Sequence, residues 1–226
     1  MRNIFLSFLV LNISVVVCAQ SLEVNGGYII NHFHDFGYDE GHYKSEYKNG
    51  PGYGFEIGIE DLRYDIFRFR FTLGFNHYSG EFSAYNGGLG GGGTTEGSVD
   101  KSLIYFGLYP LSFNIINRID LNFGIDFGIL INENFKGSRS SWVYSQPMEG
   151  TYYKLEDEYD RFSSIWYVGF STRIAYNIRV SDVVAISPQY KLYLGLSPEF
   201  DHFPDKTKSL RHYFSLGVKI KLRKDK

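Results

Sequence analysis

Three sets of residues in this chain carry side chains that can do chemistry. His77 and Ser79 stand two positions apart, and Glu81 follows two further on. At that spacing they share one face of a β-strand. An imidazole beside a serine hydroxyl, with a carboxylate to orient it, activates the serine against an acyl ester. The plainer reading is a polar strand end that hydrogen-bonds lipid headgroups. His32, His34, Asp35, Asp39, Glu40 and His42 form a second set, of types that bind divalent metals. Their stretch, residues 32–50, has no periodicity and reads as a solvated loop, so neither a metal nor any other cofactor is expected.

The third set is the largest. Glu56, Glu60, Arg68, Arg70, Asp120, Asp126, Arg173, Lys191, Arg211, Lys219 and Lys221 share a strand parity with small residues such as Gly54, Gly58, Gly74, Gly124 and Ser171. Four acids and seven bases crowded into one narrow interior should pair with each other, filling and stabilising it. The alternative reading of so many bases is a narrow, anion-preferring pore for small solutes.

Strands must position these residues. Residues 119–131 read Ile-Asp-Leu-Asn-Phe-Gly-Ile-Asp-Phe-Gly-Ile-Leu-Ile, large and apolar at every odd position and small or polar at every even one except Leu130. A barrel of about eight strands barely holds modest side chains inside. The small, polar face therefore turns inward and the bulky face outward, where only lipid accepts it. Comparable alternation recurs at residues 22–31, 53–60, 67–79, 165–178, 184–194 and 210–222, while 103–113 is apolar on both parities. Arg68 and Arg70 would be prohibitive in lipid and natural in a polar lumen. Pro110 and Pro188 each predict a local irregularity, because proline withdraws a ladder donor.

The gaps between strands run long, short, long, short, long, short, long. That rhythm predicts an all-β, eight-stranded antiparallel up-and-down transmembrane barrel with short periplasmic turns and long outer loops. One such loop, residues 80–101, contains a glycine tract at 87–93 that reads as flexible. Its glycines have phosphate-loop spacing but no strand-turn-helix around them, so a nucleotide site is not expected. Another, residues 132–163, carries Glu156, Asp157, Glu158 and Asp160 beside Tyr152, Tyr153 and Tyr159, a surface suited to a partner or glycan. Tyr53, Tyr64, Tyr105, Tyr109, Trp166, Tyr176 and Tyr190 lie towards strand ends, as an interfacial girdle would.

Composition bounds the same class. Over 226 residues, hydrophobics reach 43%, aromatics 18%, and mean hydropathy is −0.21. Those values exclude a helical membrane protein but not a barrel, whose strands are half polar. Residues 1–19 contain Arg2, an apolar run from Ile4 to Val17, and Val17-Cys18-Ala19. They read as a signal peptide cleaved after Ala19, leaving residues 20–226 as the barrel domain. A lipoprotein reading would acylate Cys18, to which Val17 is poorly suited. Cleavage removes one base and no acid, moving the formal charge from −2 to −3, and it removes the sole cysteine. An exported chain without disulfides must be held otherwise, and a closed ring of strands in lipid suffices. No nucleic-acid partner is expected.

The leader, the eight alternating strands, the Tyr109-Pro110-Leu111 segment before a short turn, and the ending Ser215-x-Gly217-x-x-Ile220-x-Leu222 together resemble the PorT-type family of small outer-membrane β-barrels. The resemblance implies residence in the Gram-negative outer membrane and contact with its lipid. Some relatives assist a protein-secretion or gliding apparatus and most have no defined activity, so the resemblance leaves open an envelope protein partner without assigning one. The ending is similar to the signal read by the outer-membrane assembly machinery, though it lacks a terminal aromatic and trails Arg223 to Lys226. His77-x-Ser79 is similar to the pair of outer-membrane lipid A deacylases, which place Asn where this chain has Gly80. The expected role is therefore structural or interactive, through the outer loops. A lipid A-modifying esterase built on His77, Ser79 and Glu81 stands as the alternative.

Overall fold

The computed structural model of the chain describes residues 21–35, 43–64, 67–115, 118–144, 149–202 and 207–222. Ten strands follow in order: β1 (Ser21–Asp35), β2 (Tyr43–Tyr64), β3 (Phe67–Gly88), β4 (Gly91–Ile115), β5 (Ile119–Val143), β6 (Glu149–Lys154), β7 (Trp166–Tyr176), β8 (Ile178–Arg179), β9 (Val184–Gly195) and β10 (Thr207–Lys221). A single helical turn, α1 (Leu155–Glu158), follows β6. Eight strands pair antiparallel with their neighbours, in the order β1-β2-β3-β4-β5-β7-β9-β10, and β10 pairs back onto β1. The ring is closed, so no barrel edge is left unpaired. β6 adds to the far end of β5, and β8 continues the β7 ladder along β9.

The alternation read from the sequence decides the two faces. In β3, Arg70, Thr72, Gly74 and Asn76 are inside, while Leu73 is 59% exposed. In β5, Asp120, Asn122, Asp126 and Gly128 are buried, with Phe123, Phe127 and Ile129 outside. Phe55, Ile57, Ile104, Phe106, Phe170, Ile174, Leu216 and Val218 continue the outward apolar belt. Charge inside and apolar bulk outside inverts the soluble pattern, and it is the arrangement a bilayer selects.

Three gaps expected to be loops are largely strand. β3 and β4 continue through residues 80–101 as one hairpin, in which Gly88 pairs with Gly91 across a turn at Leu89 and Gly90. The glycine tract is thus ordered ladder, and Gly91, at φ +151°, is the residue whose conformation the turn requires. β5 runs on to Val143, and β1 and β2 extend into the 32–50 stretch. The reason is physical: above the apolar belt the outward face meets water instead of lipid, so the apolar outward parity that marks a strand in the sequence disappears while ladder hydrogen bonds persist. At 25 residues, β4 and β5 are each about 80 Å long, far more than a tilted crossing needs. The far end of the barrel therefore carries an antiparallel sheet made of β2 to β6.

Both proline expectations have a counterpart. The β4–β5 register shifts between Leu108 and Leu111, around Pro110. The β7 ladder on β9 ends at Ala175 and Gln189, next to Pro188, and resumes with β8 at Ile178 and Ile186.

Candidate functional site

Inside the barrel, the side chains assemble in two storeys. Near the short turns, Glu23 is fully buried and sits between two guanidinium groups. Arg173 Nη2 donates to both its oxygens at 2.6 and 2.7 Å, and Arg70 Nη1 donates at 3.0 Å. Arg70 also donates to Glu56 at 2.6 Å and to Glu60. Arg173 reaches Glu60 at 3.2 Å and Asn122 at 2.7 Å. Lys191 bridges Glu56 at 3.1 Å and Asp126 at 2.8 Å, and Lys219 bridges Glu60 and Asp120, the latter at 2.8 Å. Buried carboxylates in such numbers persist only because each has a cation and further donors. The hollow bordered by Asn25, Glu56, Arg173, Gln189 and Lys191 amounts to about 10 Å³, about one water.

The upper storey is built around Glu199, which enters from the β9–β10 connection. Lys101 Nζ donates to it at 2.9 Å, Arg211 at 3.1 Å and the Tyr78 hydroxyl at 3.1 Å. The Arg211 guanidinium lies between the Tyr78 and Tyr193 rings, 4.3 and 4.2 Å from their centroids. Above this, Phe33, Phe82, Phe162 and Phe200 close into an aromatic cap with centroid separations of 4.9 to 5.4 Å. Leu155 of α1 joins the same core.

Glu199 predicts how the cap responds to acid. Burial pushes its carboxyl up, but Lys101 and Arg211 outweigh burial and hold it down at about 2. A depressed carboxylate stabilises the docked loop above its unfolded value of 4.5 and loses that contribution as pH falls towards 2. Pepsin cleavage beside Phe162 and Phe200 should therefore be slow at pH 4.5 and accelerate between pH 4 and 2. A rate that follows only the protease's own pH profile would contradict this.

The lumen residues read from the sequence are distributed as follows. Glu56, Glu60, Arg70, Asp120, Asp126, Arg173, Lys191 and Lys219 are in the lower network and Arg211 in the upper one. Arg68 stands in β3, but its side chain lies outside the described residues. Lys221 is exposed at the end of β10, because the strand has there passed the rim of the lumen. Three further partners lie outside the set that strand parity picks out: Glu23 in the weakly alternating first strand, and Lys101 and Glu199 in stretches without strand periodicity. With them, the ion pairs inside the barrel join six acids to six bases among the described side chains. Among the described side chains the bases that pair inside the barrel do not outnumber the acids, and the aromatic cap packs above them.

Two further expectations need correction. Tyr105 and Tyr109 are not girdle residues: both are buried in the lumen, donating to Glu56 at 2.7 Å and Asp126 at 2.8 Å. Gly74, Gly107 and Gly124 make the room, since a Cβ at any of them would strike one of these two rings. Their strand is apolar on both parities, so the sequence could not say which face turned inward. The set His77, Ser79 and Glu81 does not assemble either. Ser79 Oγ donates to the Pro51 carbonyl at 3.1 Å, Glu81 pairs with Lys48 at 2.8 Å, and His77 instead meets Ser102 and Asp100 of β4. Cross-strand neighbours lie closer than residues two apart on one strand.

In the first strand pair, His32 packs edge-on against His212 of β10 at 5.2 Å. Asp39, Glu40 and His42 lie outside the described residues, and among those described no three His, Cys, Asp or Glu side chains cluster to hold a metal. In the C-terminal pattern, Ile220 and Leu222 are exposed, Gly217 is buried and Ser215 is half-buried. They belong to β10, the strand that closes the ring.

Fold and site together define a transmembrane β-barrel of the outer-membrane type, with a lumen filled by ion pairs and aromatic rings. No protein-family profile and no characterised protein matches the chain by sequence. Among solved structures it is similar to OprG from Pseudomonas aeruginosa, at 11% identity over 90% of this chain and 97% of that one, with a TM-score of 0.43. It is also similar to Ail from Yersinia pestis, at 10% identity over 89% and 99%, with a TM-score of 0.41. Neisserial surface protein A follows at 10% over 89% and 97%, with a TM-score of 0.39. At these values the likenesses carry no argument of their own. The class rests on the closed ring and its inverted faces.

Proposed function

We propose that the chain is an outer-membrane protein of a Gram-negative envelope, exported by residues 1–19, that works as a structural or interaction protein through its far-end sheet. The observation that carries this reading is the filled interior. Among the described residues, twelve paired charges and an aromatic cap occupy the space a transport function would need. What the molecule presents instead is a long sheet with exposed Tyr85, Val143, Tyr144, Tyr152 and Tyr153, followed by the acidic turn Leu155–Glu158. Exposed aromatic clusters of this kind mark partner surfaces. The resemblance to the PorT-type family supports a role as accessory subunit of an envelope complex, with lipid around the apolar belt and the assembly machinery as a transient partner during insertion.

Affinity purification from mild-detergent membranes tests this. A partner complex is expected in stoichiometric amount, and it should be lost when Tyr152 and Tyr153 are both replaced by serine without a change in the barrel's heat-modifiable gel mobility. Recovery of a lone barrel at native expression level would overturn the accessory role.

A further inference from the structure

The cluster that the filled lumen does not absorb lies on the outward parity of β3 and β4, with His77 half-buried and Ser102 8% exposed. His77 and Ser102 are register partners, and Asp100 precedes Ser102 by two residues on the same face. His77 Nδ1 is hydrogen-bonded to Ser102 Oγ at 3.0 Å, and Nε2 lies 3.1 Å from Asp100 Oδ1, close enough for a charge pair, although that oxygen accepts no hydrogen bond. The Tyr53 ring packs against the imidazole at 4.9 Å. This is the point where the apolar belt ends. Towards the short turns the next outward residues are Phe75 and Ile104, and away from them lies a groove of about 350 Å³ bordered by Asn49, Ser79, Glu81, Asp100, Asn134 and Lys136.

We propose that Ser102, His77 and Asp100 form a nucleophilic-serine site for carboxylic esters of membrane amphiphiles. With its proton on Nε2, facing Asp100, the imidazole presents a basic Nδ1 to the serine hydroxyl. That order of nitrogens is the reverse of the commoner one, but the chemistry needs one held and one basic nitrogen, and either order supplies them. Ser102 Oγ bonds to the ester carbonyl carbon and its proton passes to Nδ1. The carbon–oxygen bond to the alcohol breaks, and the alcohol leaves with that proton. Water then attacks the acyl-serine, His77 takes its proton, and the fatty acid departs as Ser102 regains its hydrogen. The acyl chain lies over Phe75 and Ile104, and the polar head occupies the groove. Ser79, held by the Pro51 carbonyl, is not the nucleophile.

The inference rests on the membrane placement proposed above for its substrate class, but not for its serine. The full barrel, folded in detergent, is treated with a fluorophosphonate probe, in which Ser102 Oγ displaces fluoride at phosphorus and His77 takes the proton. Peptide mass spectrometry should find the adduct on Ser102. Labelling should fall on the order of 10²-fold or more in His77→Ala and persist in Ser79→Ala, each variant having been checked for the folded gel band. Asp100→Asn, a milder change, should also slow it. No adduct on Ser102, or one indifferent to His77, overturns the site. If labelling holds, p-nitrophenyl laurate should be cleaved faster than p-nitrophenyl acetate; equal rates would overturn the amphiphile assignment while leaving the nucleophile in place.

Discussion

Glu23→Ala is expected to destabilise the folded barrel by about 3–5 kcal/mol, the cost of removing one partner from a buried ion pair. Glu23 is fully buried, and its two oxygens receive Arg173, Arg70 and Gln189. Deleting the carboxylate leaves two guanidinium groups short of an acceptor in a fully buried space. Arg70 keeps Glu56 and Glu60, and Arg173 keeps Glu60 and Asn122, so the barrel should still close. Urea unfolding in detergent, read by the heat-modifiable gel shift, measures the loss. Removing the pair together, as Glu23→Leu with Arg173→Met, should cost less than the sum of the single changes, because the interior stays neutral. An additive double variant would show that the two residues are not coupled. Lys48→Ala, which breaks the exposed pair with Glu81, should leave the transition unmoved.

The sequence made the barrel legible wherever lipid imposes one face and the lumen the other. Residues 119–131 show it most clearly, because Asp, Asn and Gly alternate with Ile, Leu and Phe there. Legibility fails where that contrast fails. Glu23 sits in a strand whose alternation is weakened by Gly26 on the apolar parity and Ile29 on the polar one. Lys101 belongs to a strand already past the apolar belt, and Glu199 to a connection with no periodicity at all. Each joins the interior through tertiary contacts that no local pattern announces. The two-residue spacing of His77 and Ser79 places them on one face of β3, but the partner of His77 comes from the adjacent strand. Register between strands is set by turns and bulges, here by shifts such as that between Ser102 and Leu103 in the β4–β5 pairing, and one strand's sequence does not contain it.

The second large effect tests the belt itself. Leu73 lies on β3 with 59% of its surface exposed, opposite Ile57 on one side and Phe106 on the other. In water, exchanging so exposed a leucine for arginine would cost little, within about 0.5 kcal/mol. In a bilayer midplane the same exchange costs about 2–4 kcal/mol. Leu73→Arg, folded into phospholipid vesicles and titrated with urea, is therefore expected to lose stability in the upper of these ranges. Tyr85 provides the internal comparison: it is on the same strand and the same parity, 40% exposed, but stands on the sheet beyond the belt. Tyr85→Arg should be nearly neutral in the same assay. Equal costs at the two positions would mean that one solvent surrounds the whole of β3, and the membrane reading would fail with it. A large cost at Leu73 alone would fix where along this one strand lipid gives way to water, between Leu73 and Tyr85, the interval that contains His77.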